Sequence, residues 1–400
     1  MRVKIEKLDH YGRGITWIDN KICFIPNSLP REVVDIDIIT NKKKFMIGSV
    51  NDYIELSSDR VNNLCPFYNK CGGCSTMHMK YDLENKFKYD KVCELVEKFT
   101  NLDRSIVKEC VYDKEYNYRN KIVLHCNNKE LGLYEEDSHK LIPIDECFLV
   151  NNKINRIISY LKQFVKNNTV SEIMIRVGNI TNEVMVSING EVNDFFHLLE
   201  IVDVLVINEK TVSKKSEITS IIGNKKFLVS DNAFFQVNGV LTKKLYDEVY
   251  SAIKSNDCKN VLDLYCGTGT IGIYISELVD KVLGIEAVRD AVNDANYNKK
   301  INRCENISFI SGRVEDILSG VDTKFDTIIV DPPRSGLDNT VIGDIYKIRP
   351  KTLIYVSCEP STLMRDLKLL NKIYDVEYIK PFNMFPKTYH VECVCLLKLR

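Results

Sequence analysis

Long hydrophobic runs are missing from this chain, since no apolar stretch approaches the roughly 20 residues that a membrane-spanning helix needs. The first ten residues, MRVKIEKLDH, are charged from the second position and contain no apolar signal-peptide core. Low-complexity tracts and internal repeats are also missing. We therefore expect a cytoplasmic protein with no membrane partner.

An excess of charge of either sign is lacking too, because 55 Lys and Arg residues balance 55 Asp and Glu residues. The total charge gives no support for a nucleic-acid partner, but such binding requires only a local basic face. Lys42, Lys43 and Lys44 form one basic run, for which a solvated loop is the simpler interpretation. A length of 400 residues predicts two or three domains.

Cysteine, in contrast, is abundant, with 14 in the chain. In a reducing compartment this number indicates metal binding or catalysis rather than disulfides. The stretch LCPFYNKCGGCS contains three of them, Cys65, Cys71 and Cys74. Zinc and iron–sulfur sites usually take four ligands, so a fourth must come from elsewhere in the chain.

The first 230 residues are typical of an all-β segment followed by a mixed one. Residues 1–56 contain several short β-branched or aromatic segments separated by turn residues, which predicts a small β-barrel. Helical periodicity follows at 83–99. Further elements are predicted as strands at 119–126, 130–134, 173–178 and 183–188, and a helix near 151–166.

From about residue 235, apolar strands alternate with amphipathic helices. This alternation predicts a parallel sheet covered by helices on both faces. Ligands of such sheets bind beyond the carboxyl ends of the strands.

The segment DLYCGTGTIG is a predicted strand that enters a glycine turn opening a helix. The G-x-G-x-x-G spacing at Gly267, Gly269 and Gly272 also fits a dinucleotide cofactor. Asp263 precedes the turn, where a methionine-type ammonium group needs a carboxylate, and this favours S-adenosylmethionine. Glu286 ends the next strand, where a ribose diol needs an acceptor, which fits either cofactor.

Several later segments carry a family resemblance. Taken in order, DPPRSG (331–336), SCEPSTLMRD (357–366) and FPKTYHVE (385–392) resemble the RNA uracil-5-methyltransferases. Other segments resemble parts of the same family: FFQVN and DLYCGTG its cofactor segments, the cysteine stretch with DEC (145–147) its iron–sulfur subgroup, and KLDHYGRGI (7–15) its TRAM barrel. The resemblance covers nearly the whole chain.

The resemblance implies an α/β protein with three parts. These are an RNA-binding, OB-like TRAM β-barrel at 1–57, a central α+β domain at 58–230 with a [4Fe–4S] cluster, and a Rossmann-like methyltransferase domain at 231–400. A helix at about 83–110 is expected to pack on the catalytic domain. The cluster ligands would be Cys65, Cys71, Cys74 and Cys147, although zinc also suits four thiolates.

The implied reaction is methylation of carbon 5 of uracil. That carbon is a poor nucleophile until a thiolate adds to carbon 6, and the carbon-5 proton must be removed afterwards. The resemblance implies that Cys358 is the nucleophile, Glu392 the general base and Asp331 a further catalytic residue. The predicted cofactor residues are Gln236, Asp263, Tyr265, Gly267, Thr270, Glu286, Arg313 and Asp331.

The target uridine should be flipped out of its stack, which favours a loop or bulge in RNA. Predicted RNA contacts are Arg119 and Lys121 in YRNK, with Lys42, Lys43 and Lys44 in the barrel. The iron–sulfur and TRAM segments favour 23S ribosomal RNA as substrate, with the T-loop of transfer RNA as the alternative. We expect a monomer.

Two other functions compete with this interpretation. A cytosine-5-methyltransferase usually places its nucleophile after a proline on the earlier strand, whereas DPPR contains no cysteine. A non-catalytic RNA-binding protein with the same fold is disfavoured because Cys358, Glu392 and Asp331 are all present.

Overall fold

The computed structural model of the protein describes residues 1–321 and 324–400. Its three large sheets lie within the three predicted parts of the chain, the first between Arg2 and Glu55, the second between Lys121 and Thr211, and the third between Asn260 and Leu399. The predicted domain boundaries themselves stay predictions. No helix in the described residues is long and apolar enough to cross a membrane.

The N-terminal sheet has six strands in the order β1-β5-β6-β4-β3-β2. Their bounds are β1 Arg2–Lys4, β2 Lys7–Leu8, β3 Gly14–Ile18, β4 Lys21–Ile25, β5 Val33–Asn41 and β6 Phe45–Glu55. Alternation along the strands buries one face, and Ile25, Val34 and Ile36 on that face form a small core. Lys42, Lys43 and Lys44 lie exposed at the turn between β5 and β6.

Helix α1 (Tyr81–Phe99) follows the cysteine stretch. It ends at Phe99, where the helical periodicity at 83–99 also ends, and does not extend to about 110. Thr100 adopts extended backbone, and its hydroxyl bonds to the Val96 carbonyl. Val92 and Leu95 of the helix belong to one hydrophobic cluster with residues of the C-terminal sheet and its helices. The helix therefore packs against elements of the C-terminal part of the chain.

The central sheet has the strand order β13-β12-β11-β10-β7-β8-β9, with helix α2 (Asn152–Asn167) packed against it. Its strands are β7 Lys121–Asn127, β8 Glu130–Tyr134, β9 Leu141–Pro143, β10 Thr169–Val177, β11 Val184–Glu191, β12 Val204–Ile207 and β13 Lys210–Thr211. A separate hairpin of β14 (Ile218–Ile222) and β15 (Lys225–Val229) leads to the C-terminal part.

The C-terminal sheet has the order β18-β17-β16-β19-β20-β22-β21. Its elements are α3 Gly239–Ser255, β16 Asn260–Leu264, α4 Thr270–Ile275, β17 Lys281–Glu286, α5 Arg289–Ile301, β18 Ile307–Ser311, α6 Val314–Ile317, β19 Thr327–Val330, α7 Asn339–Ile348, β20 Thr352–Ser357, α8 Pro360–Leu370, β21 Tyr374–Phe382 and β22 Glu392–Leu399.

This sheet is mixed rather than fully parallel. Strands β16 to β20 pair in parallel, whereas β22 runs antiparallel to both β20 and β21. The expectation of a parallel sheet was therefore correct for its first five strands and wrong for its last two. Buried strands such as β20 have no polar face, so their apolar pattern does not reveal the direction of a neighbouring strand.

Candidate active site at the carboxyl edge of the C-terminal sheet

A cavity of ≈780 Å³ lies beyond the carboxyl ends of β16, β17, β19 and β20. All ten residues predicted for catalysis or cofactor binding line this one cavity. They are Gln236, Asp263, Tyr265, Gly267, Thr270, Glu286, Arg313, Asp331, Cys358 and Glu392. Most of them come together because carboxyl ends of parallel strands meet at the same edge of a sheet. Glu392 instead begins the antiparallel β22, and Gln236 lies before α3.

The glycine turn after β16 is shaped to leave room for a ligand. Gly267 has φ +52°, and a Cβ atom built there would have no neighbour within 4 Å. A Cβ on Gly269, at φ +74°, would lie 2.5 Å from the Phe309 ring. Gly267 therefore opens the backbone towards the cavity, while Gly269 permits close packing behind the turn.

Asp263, at the end of β16, is a buried carboxyl with one oxygen unused. Its Oδ2 accepts a hydrogen bond from the Gly272 backbone N–H at 3.0 Å, and its Oδ1 is buried without a partner among the described residues. Burial raises the pKa of Asp263 to about 7. A buried acceptor at the cavity wall fits a cationic ligand group, which would supply the missing hydrogen bond and favour the ionised carboxylate.

Glu286 is fixed at the end of β17 by two backbone groups. Its Oε2 accepts from the Gly267 N–H at 3.1 Å and its Oε1 accepts from the Val288 N–H at 2.8 Å. Each carboxylate oxygen has a further lone pair for another donor. This arrangement suits a ribose diol placed beside the glycine turn, as predicted for this residue.

Two cavity residues that the sequence did not single out support the predicted ones. The Tyr265 hydroxyl donates to Glu315 Oε1 at 3.0 Å, and Arg313 Nε lies 3.4 Å from Glu315 Oε2. The hydroxyls of Tyr246 and Thr270 are 2.7 Å apart. Glu315 and Tyr246 stand outside the quoted motifs, and their roles follow from the three-dimensional packing alone.

Cys358 and Glu392 meet because of the antiparallel strand. Cys358 directly follows β20, and Glu392 is the first residue of β22. In the register of these strands, Ser357 lies opposite Cys393. The start of β22 is thus at the same edge as the end of β20, and Asp331, directly after β19, lies at the neighbouring position.

Of the three predicted catalytic groups, Glu392 is buried and Asp331 and Cys358 are partly buried. Burial raises the pKa of Asp331 to about 7. Burial, followed by the negative charge of Asp331, raises the pKa of Glu392 to about 8. Burial also raises the pKa of the Cys358 thiol to about 11, with smaller contributions from Glu392 and Asp331, while the nearby Arg334 lowers it. Arg334 lines this cavity together with Arg313 and was not among the predicted site residues, although it stands within DPPR.

The loop that carries Asp331 and Arg334 is anchored to α8. The Thr362 hydroxyl donates to the Arg334 carbonyl at 3.1 Å. Buried Asp366 accepts from the Leu337 N–H at 2.8 Å and from the Tyr355 hydroxyl at 2.7 Å. These bonds hold the DPPR segment and the helix that follows Cys358 in one rigid unit.

Two of the predicted RNA contacts lie next to the cofactor segment. Asn120, between Arg119 and Lys121, donates from its side chain to the Gln236 carbonyl at 3.1 Å and from its backbone N–H to the Val237 carbonyl at 2.8 Å. Burial lowers the pKa of Lys121 to about 8, assisted by the positive charges of Arg176 and Arg119. Lys42, Lys43 and Lys44 are not among the residues that line the cavity.

The four cysteines of the predicted cluster line a second cavity of ≈230 Å³. All four thiols are free and partly buried. Burial raises the pKa of the Cys71 thiol, the Gly73 N–H lowers it, and the charges of Cys147 and Cys65 raise it further. Within the part of the chain that the structure describes, no three or more His, Cys, Asp or Glu side chains are already arranged as a metal-binding group. An iron–sulfur cluster is therefore not shown.

Comparisons with known proteins agree with this geometry. Residues 205–400 match the tRNA (uracil-5-)-methyltransferase family, and residues 1–50 match the TRAM domain. An RNA methyltransferase of Clostridium acetobutylicum, not yet characterised, is 34% identical over 99% of this chain and 96% of its own. A similarly described protein of Halalkalibacterium halodurans is 31% identical over 100% of this chain and 97% of its own.

A solved structure resembles the whole chain. It is the tRNA (uracil-54, C5)-methyltransferase of Pyrococcus abyssi in complex with S-adenosyl-L-homocysteine. It is 26% identical to this chain, with a TM-score of 0.83, and the match covers 99% of this chain and 100% of the other.

The sheet, the glycine turn and the cavity define an S-adenosylmethionine-dependent methyltransferase. The chain belongs to the RNA uracil-5-methyltransferase family, and its N-terminal part is a TRAM domain. Both statements confirm what the sequence resemblance predicted.

Proposed function

We propose that the protein methylates carbon 5 of a specific uridine in 23S ribosomal RNA, with Cys358 as nucleophile and Glu392 as general base. The observation that carries these roles is the convergence of Cys358, Asp331 and Glu392 on the wall of the cavity that also holds the predicted cofactor residues. A nucleophile, a base and a methyl donor must meet at one base for this chemistry to proceed.

The proposed reaction begins when the Cys358 thiolate adds to carbon 6 of the uracil ring, which makes carbon 5 nucleophilic. Bound S-adenosylmethionine supplies the methyl group that carbon 5 takes up. The Glu392 carboxylate then removes the proton from carbon 5. The electrons of that C–H bond form the carbon 5–carbon 6 double bond and expel the thiolate of Cys358.

In this proposal, different cofactor residues bind different groups of the methyl donor. Asp263, with its unpartnered Oδ1, binds the ammonium group, and Glu286 binds the ribose diol. Gly267 leaves room for close approach, and Tyr265, Thr270 and Gln236 line the remaining wall. In the same proposal, Asp331 accepts a hydrogen bond from the uracil edge or the cofactor.

The proposed RNA contacts extend from the cavity. A uridine must leave its stack to reach Cys358, because the thiol lies in a pocket beyond the sheet edge. Arg119 and Lys121 lie beside the segment that contains Gln236, where they contact the flanking phosphates in this proposal. The TRAM domain, with Lys42, Lys43 and Lys44, grips the RNA at a greater distance.

Transfer RNA is the second candidate substrate. It is supported by the likeness of the whole chain to a structure described as a tRNA (uracil-54, C5)-methyltransferase. Primer extension and mass spectrometry of ribosomal and transfer RNA from a deletion strain distinguish the two. Loss of 5-methyluridine from 23S RNA alone supports the first candidate, and loss from the transfer RNA T-loop alone supports the second.

A 5-fluorouridine RNA tests the proposed chemistry, because fluorine at carbon 5 leaves no proton for the base to remove. With methyl donor present, we expect a covalent adduct that survives denaturant for the wild type and none for Cys358→Ala. An adduct that persists in Cys358→Ala contradicts the proposed nucleophile. Absence of an adduct and of 5-methyluridine with the wild type favours the non-catalytic RNA-binding alternative.

We further propose that Cys65, Cys71, Cys74 and Cys147 hold a [4Fe–4S] cluster. Four thiols around one cavity match the ligand set of such clusters. Bound there, a cluster would connect the 64–75 stretch to the segment before α2 and stabilise the fold between them.

A further inference from the structure

The segment that precedes the proposed base contains an unexpected buried lysine. Lys387 is 1% exposed and has a left-handed backbone at φ +66°. A lysine in this conformation is strained, and a buried ammonium group is costly without partners. Neither the fold of β22 nor the methyl-transfer chemistry by itself requires a charged residue there.

Glu84 of α1 holds this residue through both its backbone and its side chain. The Lys387 N–H donates to Glu84 Oε1 at 2.9 Å and Oε2 at 3.1 Å, and Lys387 Nζ lies 3.8 Å from Glu84 Oε2. Lys387 Nζ also pairs with Glu115 at 2.7 Å. Lys88 and Asn383 complete the buried network, at 3.1 Å and 3.0 Å from Glu84 Oε1.

The residues directly after Cys74 hold the same segment from the other side. The Ser75 and Thr76 N–H groups donate to the Lys387 carbonyl at 3.0 and 3.2 Å. The Tyr389 N–H donates to Ser75 Oγ at 3.0 Å. The chain from Lys387 to Tyr389 is thus bonded to both α1 and the cysteine stretch, and Glu392 follows three residues later.

We propose that Lys387 and Ser75 are positioning residues that fix the segment before Glu392, so that its carboxylate is placed for removal of the carbon-5 proton. This inference rests on the proposed function. It also connects the cysteine stretch to catalysis, because Ser75 is the neighbour of Cys74. A displacement of about 1 Å in a reacting group can reduce a rate about a hundredfold.

The proposal predicts a defect confined to one step. Addition of Cys358 and methyl transfer precede proton removal, so they proceed normally when Glu392 is displaced. Proton removal, and with it release of the Cys358 thiolate, becomes slow. The methylated RNA then stays attached to the enzyme.

The test compares Lys387→Met, Lys387→Arg and Ser75→Ala with the wild type in the full chain. Lys387→Met leaves Glu84 paired with Lys88, so the buried carboxylate keeps a counter-ion. Lys225→Met is the matched control, because Lys225 is also buried and pairs with one carboxylate, that of Glu277 at 3.3 Å. Thermal unfolding is recorded for every variant.

For Lys387→Met and Ser75→Ala we expect kcat to fall about tenfold to a hundredfold. The first-turnover rate of S-adenosylhomocysteine formation and the KM for RNA should stay unchanged, and a covalent enzyme–RNA adduct should accumulate on ordinary uridine RNA. Lys387→Arg should restore part of kcat, and Lys225→Met should behave as wild type.

Two results would overturn the inference. One is an unchanged kcat in folded variants, and the other is a parallel loss of first-turnover rate, kcat and RNA affinity, which indicates general structural damage. Failure of the proposed function looks different, because then the wild type itself forms neither 5-methyluridine nor an adduct.

Discussion

Glu392 and Asp331 line the same cavity, and burial together with the charge of Asp331 raises the pKa of Glu392 to about 8. A carboxyl group with a pKa near neutrality is a far better base than an exposed one. This pair accounts for the first two predictions.

The rate of uracil methylation should rise with pH between 7 and 9. The proposed base acts as the carboxylate, whose pKa is about 8, and the nucleophile acts as the thiolate, whose pKa is raised to about 11. Both groups are therefore converted to the active form as pH rises. Initial rates at saturating RNA and methyl donor check this, and a flat or falling profile contradicts it.

The stability of the ligand-free protein should fall as pH rises from about 4 to 8. The folded-state pKa values of Asp263, Asp331 and Glu392, at about 7, 7 and 8, lie above the ordinary values of 3.8, 3.8 and 4.5. In this range the folded state binds more protons than the unfolded state, so ionisation favours unfolding. Each unit of pKa shift corresponds to about 1.4 kcal/mol.

Glu392→Gln should reduce this pH dependence and stabilise the ligand-free protein at pH 8. Urea unfolding of wild type and variant at pH 5 and pH 8 measures the difference. Equal slopes against pH in the two proteins would show that Glu392 does not carry the raised pKa. The same variant should trap the methylated RNA as a covalent adduct.

Asp263→Asn should weaken binding of S-adenosylhomocysteine about tenfold to a hundredfold, because hydrogen bonds to a charged group contribute about 1.5–3 kcal/mol. The unpartnered Oδ1 is the atom that the ligand ammonium group would contact. Asp294→Asn is the control, since Asp294 lines the same cavity but its carboxylate accepts from Ser230. Isothermal titration calorimetry should show a much smaller change for Asp294→Asn.

Anaerobic purification should give a brown protein with about four iron atoms per chain, the iron content of one [4Fe–4S] cluster. Cys71→Ser and Cys147→Ser should both lose iron and visible absorbance. Cys126→Ser is a control, because Cys126 is free and does not line the cysteine cavity. A colourless protein that contains zinc would replace the proposed cluster with a zinc site.

Arg119→Ala should weaken RNA binding through the loss of about one phosphate contact. The slope of log K against log salt should therefore become shallower by about 0.7–0.9. Substitution of Lys42, Lys43 and Lys44 by Ala tests RNA binding by the TRAM domain separately. Fluorescence anisotropy at several salt concentrations measures both. An unchanged slope for Arg119→Ala would show that Arg119 is not one of the RNA contacts.

The sequence by itself determined those features that depend on residues close together in the chain, namely turns, strand ends and continuous motifs. The turn around Gly267 is readable because its conformation depends on residues adjacent in the chain, and Asp263 and Glu286 stand at fixed positions beside predicted strands. The ordered motifs around Asp331, Cys358 and Glu392 identified the family for the same reason, since each motif is a continuous segment. The helical periodicity at 83–99 ends where α1 ends, at Phe99, because that pattern also lies within one continuous segment.

Tertiary structure alone decided how these segments meet. The antiparallel direction of β22 places Glu392 beside Cys358, yet a strand that is buried on both faces has the same apolar pattern in either direction. Glu84 and Lys387 are 303 positions apart in sequence and share a buried network. The positive charge of Arg334, in the segment after β19, lowers the pKa of the Cys358 thiol, which follows β20. Such interactions depend on packing between distant segments, so no pattern within one continuous segment predicts them.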